Sequence, residues 1–300
     1  MLDSGFYILL MSSSRDFNTI SPSAGALLMM KAMTDIPFAK DTASMVGDLE
    51  AFVQNVREKR SKVFLGRMIH FENRYKTIDL ALDAIQPQQI IELSSGFSGR
   101  GLALALKRPL TYIDTDLPEF ISNKKILIER LITQKQLQLQ GTLHIEPLNV
   151  LDEERFRNVV ALLPPGPVTF VNEGLLVYLD REEKQQLCAL ILNVLKERGG
   201  QWITGDVYLK RDMSALLDQR QEPFDEQLTR FLEVHNVEAN KFDSYETAEA
   251  FFIACGFSIT RKIDTAYHSL TSIHYIQQGV TEEKLKEWMQ GRETWVLDPA

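Results

Sequence analysis

IIELSSGFSGRG, residues 90–101, begins with the character of a buried strand and turns at once through small residues and glycines. It then enters an apolar, helix-like segment, GRGLALAL at 99–106. Strand, tight turn and helix in that order begin a doubly wound sheet, where ligands bind outside the carboxyl ends of the strands at the point where strand order reverses. The turn therefore sits where a ligand would be held.

Three readings compete for that turn. A hydrolase nucleophile elbow requires G-x-S-x-G, and in GFSGR (96–100) Arg100 stands where the second outer glycine must be. A dinucleotide turn requires G-x-G-x-x-G so that the backbone can approach a pyrophosphate, and Ser94 replaces the first glycine of SSGFSG (94–99). S-adenosylmethionine carries no pyrophosphate. Its ribose, adenine and amino-acid end need a close backbone turn and carboxylates, which a relaxed glycine pattern can supply.

Outward from the turn, strand-like runs recur at QIIELS (89–94), TYIDTD (111–116), LHIEPLN (143–149), VTFVNEG (168–174) and QWITGDVYL (201–209). Segments with apolar residues at helical spacing separate most of them, as in PEFISNKKILIERLI (118–132). The alternation predicts a mostly parallel sheet with helices on both faces. The helix of 180–198 is well marked, with Asp180 as cap, Glu182 and Glu183 in its first turn, Lys196 and Arg198 in its last and Gly199-Gly200 to stop it. Residues 1–84 read as a helical N-terminal cap, 85–208 as the ligand-binding core and 209–243 as a charged helical insertion over the sheet's edge. Core structure resumes over 244–280, with strands expected at FSITRKID (257–264) and SLTSIHYIQQ (269–278) as antiparallel neighbours. The tail, 281–300, should hold a short helix and an extended end. One elaborated domain accounts for the whole.

Composition excludes several function classes. The chain has 300 residues, 44% hydrophobic and 25% charged, with a net charge of -8, which argues against a phosphate-tracking surface and so against a nucleic-acid partner. FYILLM (6–11) is too short to span a bilayer, follows an acidic residue and has no cleavage site, so neither membrane insertion nor export is expected. The two cysteines, Cys188 and Cys255, have no metal-type spacing, lie in apolar surroundings and suit a reducing cytoplasm.

Strand ends supply the candidate site. Asp114 and Asp116 close TYIDTD about twenty residues past the turn, where a carboxylate can accept ribose hydroxyl protons. Asn149 and Asp152 follow the third strand, Asn149 able to present its amide to an adenine edge with Val150 as an apolar wall. Glu173 directly follows a buried strand, a costly place for a carboxylate unless it faces a ligand or meets a cation.

In their order and spacing, IIELSSGFSGRGLALA, TYIDTDLPEFISNKK, HIEPLNVLD, GPVTFVNEGLLVYLDREE and GGQWITGD resemble the leucine carboxyl methyltransferase family, and within it the bacterial polyketide-type O-methyltransferase branch. The similarity covers roughly residues 21–276. It implies an α/β class I S-adenosylmethionine-dependent methyltransferase fold, a Rossmann-like seven-stranded sheet with one inserted antiparallel strand. Ser94 and Gly96 would pass beneath the methionine part of the cofactor, Asp116 would bind the ribose, Asn149 and Val150 would flank the adenine, and Glu173 would meet the amino-acid end. A basic residue on the cap would grip the cofactor carboxylate, with Arg74 first, Lys76 second and Lys31 a weaker candidate. The chain departs from the family at Ser94-Ser95-Gly96 and Ser98-Gly99-Arg100, where many relatives have Gly-Ala-Gly and Asp-Thr-Arg, and at Asn149, where many have aspartate.

The implied acceptor is a small-molecule or peptide carboxylate, already ionised at neutral pH, so no general base is required. Tyr178, five residues past Glu173, is positioned to orient an acceptor, whereas His144 begins a strand and reads as packing. No metal is expected. An NAD-linked oxidoreductase and a non-catalytic adenosyl-binding protein of the same fold are the rival readings.

Overall fold

In a computed structural model, the structure describes residues 21–59, 62–210, 233–265, 267–275 and 281–300. The run 6–11 and most of the expected insertion, 211–232, lie outside the described residues. Helices α1 (Ser21–Lys31), α2 (Ala39–Val46), α3 (Leu49–Lys59) and α4 (Lys62–Ile85) precede β1 (Gln89–Leu93), α5 (Arg100–Lys107), β2 (Thr111–Asp116), α6 (Pro118–Lys135) and β3 (Thr142–Pro147). There follow α7 (Glu153–Val160), β4 (Val168–Asn172), a 3₁₀ turn (Leu176–Tyr178), α8 (Arg181–Arg198) and β5 (Gly200–Tyr208). Among the described residues the remaining helices and strands are α9 (Tyr245–Ala254), β6 (Phe257–Ile263), two 3₁₀ turns (Tyr267–Ser269 and Thr271–Tyr275), α10 (Glu282–Met289) and β7 (Arg292–Pro299).

The strands form one sheet in the order β3-β2-β1-β4-β5-β7-β6. β1 to β5 are parallel, and β7 runs antiparallel to both its neighbours. Chain order reverses direction between β1 and β4, which opens a crevice at their carboxyl ends. Every residue of β1 and β4 is buried, and alternate side chains serve opposite faces. Ile91, Phe170 and Trp202 join α7, α8 and α9 on one face. Ile90, Val171 and Ile203 join Ile78, Ala81 and Leu82 of α4 on the other.

The seventh strand is not where the sequence analysis put it. Of the run 269–278, the described part forms 3₁₀ turns, and the strand between β5 and β6 comes from the tail, RETWVLDP. Glu72, wholly buried on α4, explains the difference. Its carboxylate accepts from the backbone N–H groups of Thr271 and Ser272 at 2.7 and 2.8 Å, holding them in a turn that a strand ladder would have to break. The extended end expected for the tail is thus the sheet's inserted strand.

Candidate functional site

A cavity of about 340 Å³ opens at the carboxyl ends of β1, β2 and β4 beneath the N-terminal helices. That is within the range of small-molecule sites, roughly 300–1,000 Å³. Ser94, Gly96, Asp116, Asn149, Val150 and Glu173 all line it, as do Arg74, Tyr178 and Lys31. The structure therefore brings together the residues that the sequence placed on separate strand ends.

The turn after β1 is bent by two left-handed residues, Ser94 and Gly96, each with φ of 53°. A Cβ at Gly96 would have no protein atom within 4 Å, so this backbone faces open space along the cavity wall. Ser94 takes a conformation that ordinarily suits glycine, at a cost of about 1 kcal/mol or more. Asp116 ties the turn to β2. Its Oδ2 accepts from Gly96 N at 2.7 Å and its Oδ1 from Leu117 N at 2.8 Å. Burial raises its pKa, and these N–H groups act against that rise.

Asp114 has a different fate from Asp116. It is wholly buried, and Lys124 Nζ of α6 lies 3.0 Å from its Oδ2 as an ion pair without hydrogen-bond alignment. Burial pushes its pKa up to about 6, against the pull of Lys124. Lys124 also donates to Ser95 Oγ at 2.7 Å, linking the pair to the turn. After β3, Asn149 Oδ1 accepts from Leu151 N at 3.1 Å, and Asp152 caps α7 by accepting from Arg155 N at 3.0 Å.

At the end of β4, Glu173 meets three cations. Lys31 Nζ lies 2.5 Å from Oε1, Arg74 Nε 3.2 Å from the same oxygen, and Arg100 Nη2 3.0 Å from Oε2. Burial would raise the Glu173 pKa, but Lys31, Arg74 and Arg100 hold it well below the usual carboxylate range. Burial lowers that of Lys31 in spite of Glu173. Arg100, 1% exposed, also bonds Asp79 at 2.7 Å, pairs with Glu92 and lies 4.0 Å from the Tyr75 ring centroid. It joins β1, β4 and α4 at one point.

Several residues went unassigned in the sequence. Asp206 lies where the register of β5 shifts, and accepts from Asn172 Nδ2, Gly174 N and Leu175 N, each at 2.6 Å, and from Leu176 N at 3.0 Å. It thereby shapes the turn that carries Glu173 and Tyr178. Gly174 has φ of 81°, and a Cβ there would sit 3.2 Å from the Arg74 guanidinium. Tyr208 Oη accepts from Arg74 Nη1 at 2.8 Å and lies 2.8 Å from His70 Nε2. A visible signal was the spacing of Arg67, His70, Phe71, Arg74 and Tyr75, which forms one helical stripe of α4 along the cavity. Lys76, the second choice for a cofactor carboxylate, is not among the lining residues and bonds Asp35 and Glu72 at 2.7 and 2.9 Å. No metal-holding cluster and no helix long and apolar enough to cross a membrane occurs among the described residues.

No family model matches the chain, and no curated protein matches it. Among solved structures, a DUF574 family protein from Streptomyces avermitilis superposes with a TM-score of 0.52 at 11% identity, over 92% of this chain and 97% of that one. Magnesium protoporphyrin IX methyltransferase from Synechocystis PCC 6803, with bound S-adenosylhomocysteine, gives 0.48 at 9% identity over 84% and 100%. The mitomycin 7-O-methyltransferase MmcR gives 0.45 at 12% identity, over 82% of this chain and 60% of its own length. The likeness to the DUF574 family protein carries fold alone. The sheet order, with an antiparallel strand inserted between β5 and β6, agrees with the seven-stranded, mostly parallel α/β sheet expected from the sequence.

Proposed function

We propose that this protein is an S-adenosylmethionine-dependent O-methyltransferase whose acceptor oxygen belongs to a carboxylate on a small molecule or peptide C-terminus. One observation carries the reading: the ends of β1, β2, β3 and β4 present Gly96, Asp116, Asn149 and Glu173 to one cavity at the sheet's switch point. The set matches the cofactor's chemistry. Asp116 retains lone pairs for ribose hydroxyls, Asn149 and Val150 suit an adenine edge and face, and Glu173 suits an ammonium. Lys31 and Arg74, which bond Glu173 and line the same cavity, would answer the cofactor's carboxylate. The motif resemblance to leucine carboxyl methyltransferases, polyketide-type branch, supports the same assignment and the carboxylate acceptor.

When bound, S-adenosylmethionine supplies a methyl group on a sulfonium that passes to a nucleophilic oxygen, leaving a neutral thioether and, from a carboxylate, a neutral ester. The chain's own residues bind, orient and exclude water. Among the lining residues, Tyr178 and Tyr208 offer hydroxyls to hold an acceptor oxygen in line. Burial pushes the Tyr208 pKa up to about 12, so it stays a neutral phenol. Calorimetric titration with S-adenosylmethionine, S-adenosylhomocysteine and NAD tests the proposal. Binding of the first two with no heat from NAD is expected, and heat from NAD alone would overturn it. Transfer of labelled methyl to a carboxylate panel separates turnover from binding.

A further inference from the structure

The chain's two cysteines are distant in sequence and belong to neighbouring helices. Arg181, Cys188 and Leu192 share one face of α8 by their helical spacing. Each meets the last turn of α9 or the residues just past it. Arg181 lies 5.9 Å from the Phe251 ring centroid, and a Cβ at Gly256 would stand 2.8 Å from Leu192 Cδ2. Between those contacts, Cys255 packs against the core cluster that contains Cys188, and the Cys188 thiol donates a hydrogen bond to the Cys255 sulfur. The two sulfurs are differently placed. Cys188 is 1% exposed, whereas Cys255 is half-buried beside the exposed Ile253 and Ala254. Cys255 also ends α9, and Gly256 after it has φ of 89°, so the backbone leaves the helix there. The bond from Cys188 lowers the Cys255 pKa against the effect of burial, and Arg181 adds to the lowering. Cys188, which keeps the shared proton and is buried, has its own pKa raised.

We propose that Cys188 and Cys255 form a peroxide-reactive pair, in which a hydroperoxide oxidises Cys255 and Cys188 closes a disulfide. The division of roles follows from placement. The half-buried sulfur with thiolate character is the one a peroxide reaches, and the core thiol bonded to it is the one that resolves the product. Cys255 attacks an oxygen of hydrogen peroxide, the O–O bond breaks, and water departs to leave a sulfenic acid on that sulfur. Cys188 then attacks the same sulfur. The S–O bond breaks, an S–S bond forms, and the hydroxyl leaves with the Cys188 proton as a second water. Each sulfur gives up one electron, and the peroxide takes both. The bridge ties α8 to the connection between α9 and β6, on the sheet face that carries Trp202. Neither cysteine lines the cavity, so the chemistry of the pair is independent of methyl transfer.

The test is treatment of the full chain with hydrogen peroxide, followed by denaturation, alkylation with N-ethylmaleimide and intact mass measurement. The reduced protein should take two labels. The oxidised protein should take none, weigh two hydrogens less, yield the Cys188 and Cys255 peptides as one cross-linked species, and return to two labels after dithiothreitol. Closure should be about tenfold or more faster in the native chain than in the chain unfolded in urea, because the fold holds the thiols together. Cys188→Ser should leave a sulfenic acid on Cys255 that dimedone traps, while Cys255→Ser should leave Cys188 unoxidised under the same treatment. Both thiols still labelled, cross-links only between separate chains, Cys255 passing to sulfinic acid with Cys188 still labelled, or closure no faster than in urea overturns the proposal. The mass and rate measurements need no variant, so they decide the matter if a substitution misfolds.

Discussion

The ends of β2 and β4 both offer a carboxylate to one cavity, and they hold it by different physics. Glu173, at the end of β4, lies among three cationic side chains. Asp116, at the end of β2, is anchored by backbone N–H groups of Gly96 and Leu117. The first belongs to a buried charge network whose loss is a matter of folding. The second is a backbone-fixed acceptor, and on the proposed function its loss should fall mainly on binding. Two carboxylates lining one cavity can therefore be held by side-chain charge or by backbone N–H groups, and what holds each decides what its loss should disturb.

The largest expected effect breaks the network. Arg100→Met leaves Glu92 and Glu173 buried without their shared cation, and should lower unfolding free energy by about 3–5 kcal/mol in urea titration. A loss under about 1 kcal/mol would mean the β4 end is no more structural than the β2 end. Asp116→Ala should do the reverse. It should lower S-adenosylhomocysteine affinity about tenfold or more by calorimetry while changing stability by about 1 kcal/mol or less. Equal affinity in the variant would dissolve the contrast.

Asp114 sharpens the comparison through pH. Its folded pKa of about 6 lies above the ordinary 3.8, so the folded chain holds this proton more tightly than the unfolded chain. Its stabilising contribution is full below the ordinary value and is lost as pH rises through the folded one. Charges that share this environment are Lys124, Glu92 and Arg100. Denaturation curves from about pH 4 to about pH 7 should show the native chain losing stability relative to Asp114→Asn, and a constant difference would refute the assignment. The smallest effect is at the turn, where Ser94→Gly should raise stability by about 1 kcal/mol in thermal unfolding by removing left-handed strain.

The five parallel strands were legible because each is a short apolar run bounded by turn residues and alternating with helices. The strand-end residues were legible because doubly wound sheets place ligands there. What sequence could not show depends on distant partners. The β-branched run at 269–278 resembles a strand until Glu72, some two hundred residues away, is seen to claim its N–H groups. RETWVLDP looked like a tail because its first residues are charged, although Trp295, Val296 and Leu297 are buried in the sheet. Asp206 went unassigned inside QWITGDVYL, and only the register shift in β5 aims it at the Glu173 turn. Arg100 served merely to exclude a nucleophile elbow, yet it is the junction of three elements.

The sheet order also constrains assembly on the ribosome. β6 is synthesised before β7 but reaches the rest of the sheet only through it. Until residues 292–299 have left the exit tunnel, β6 has no neighbour to pair with and β5 keeps an open edge that can catch another nascent chain. Final closure of this fold thus waits on a late, long-range insertion, which favours slow folding.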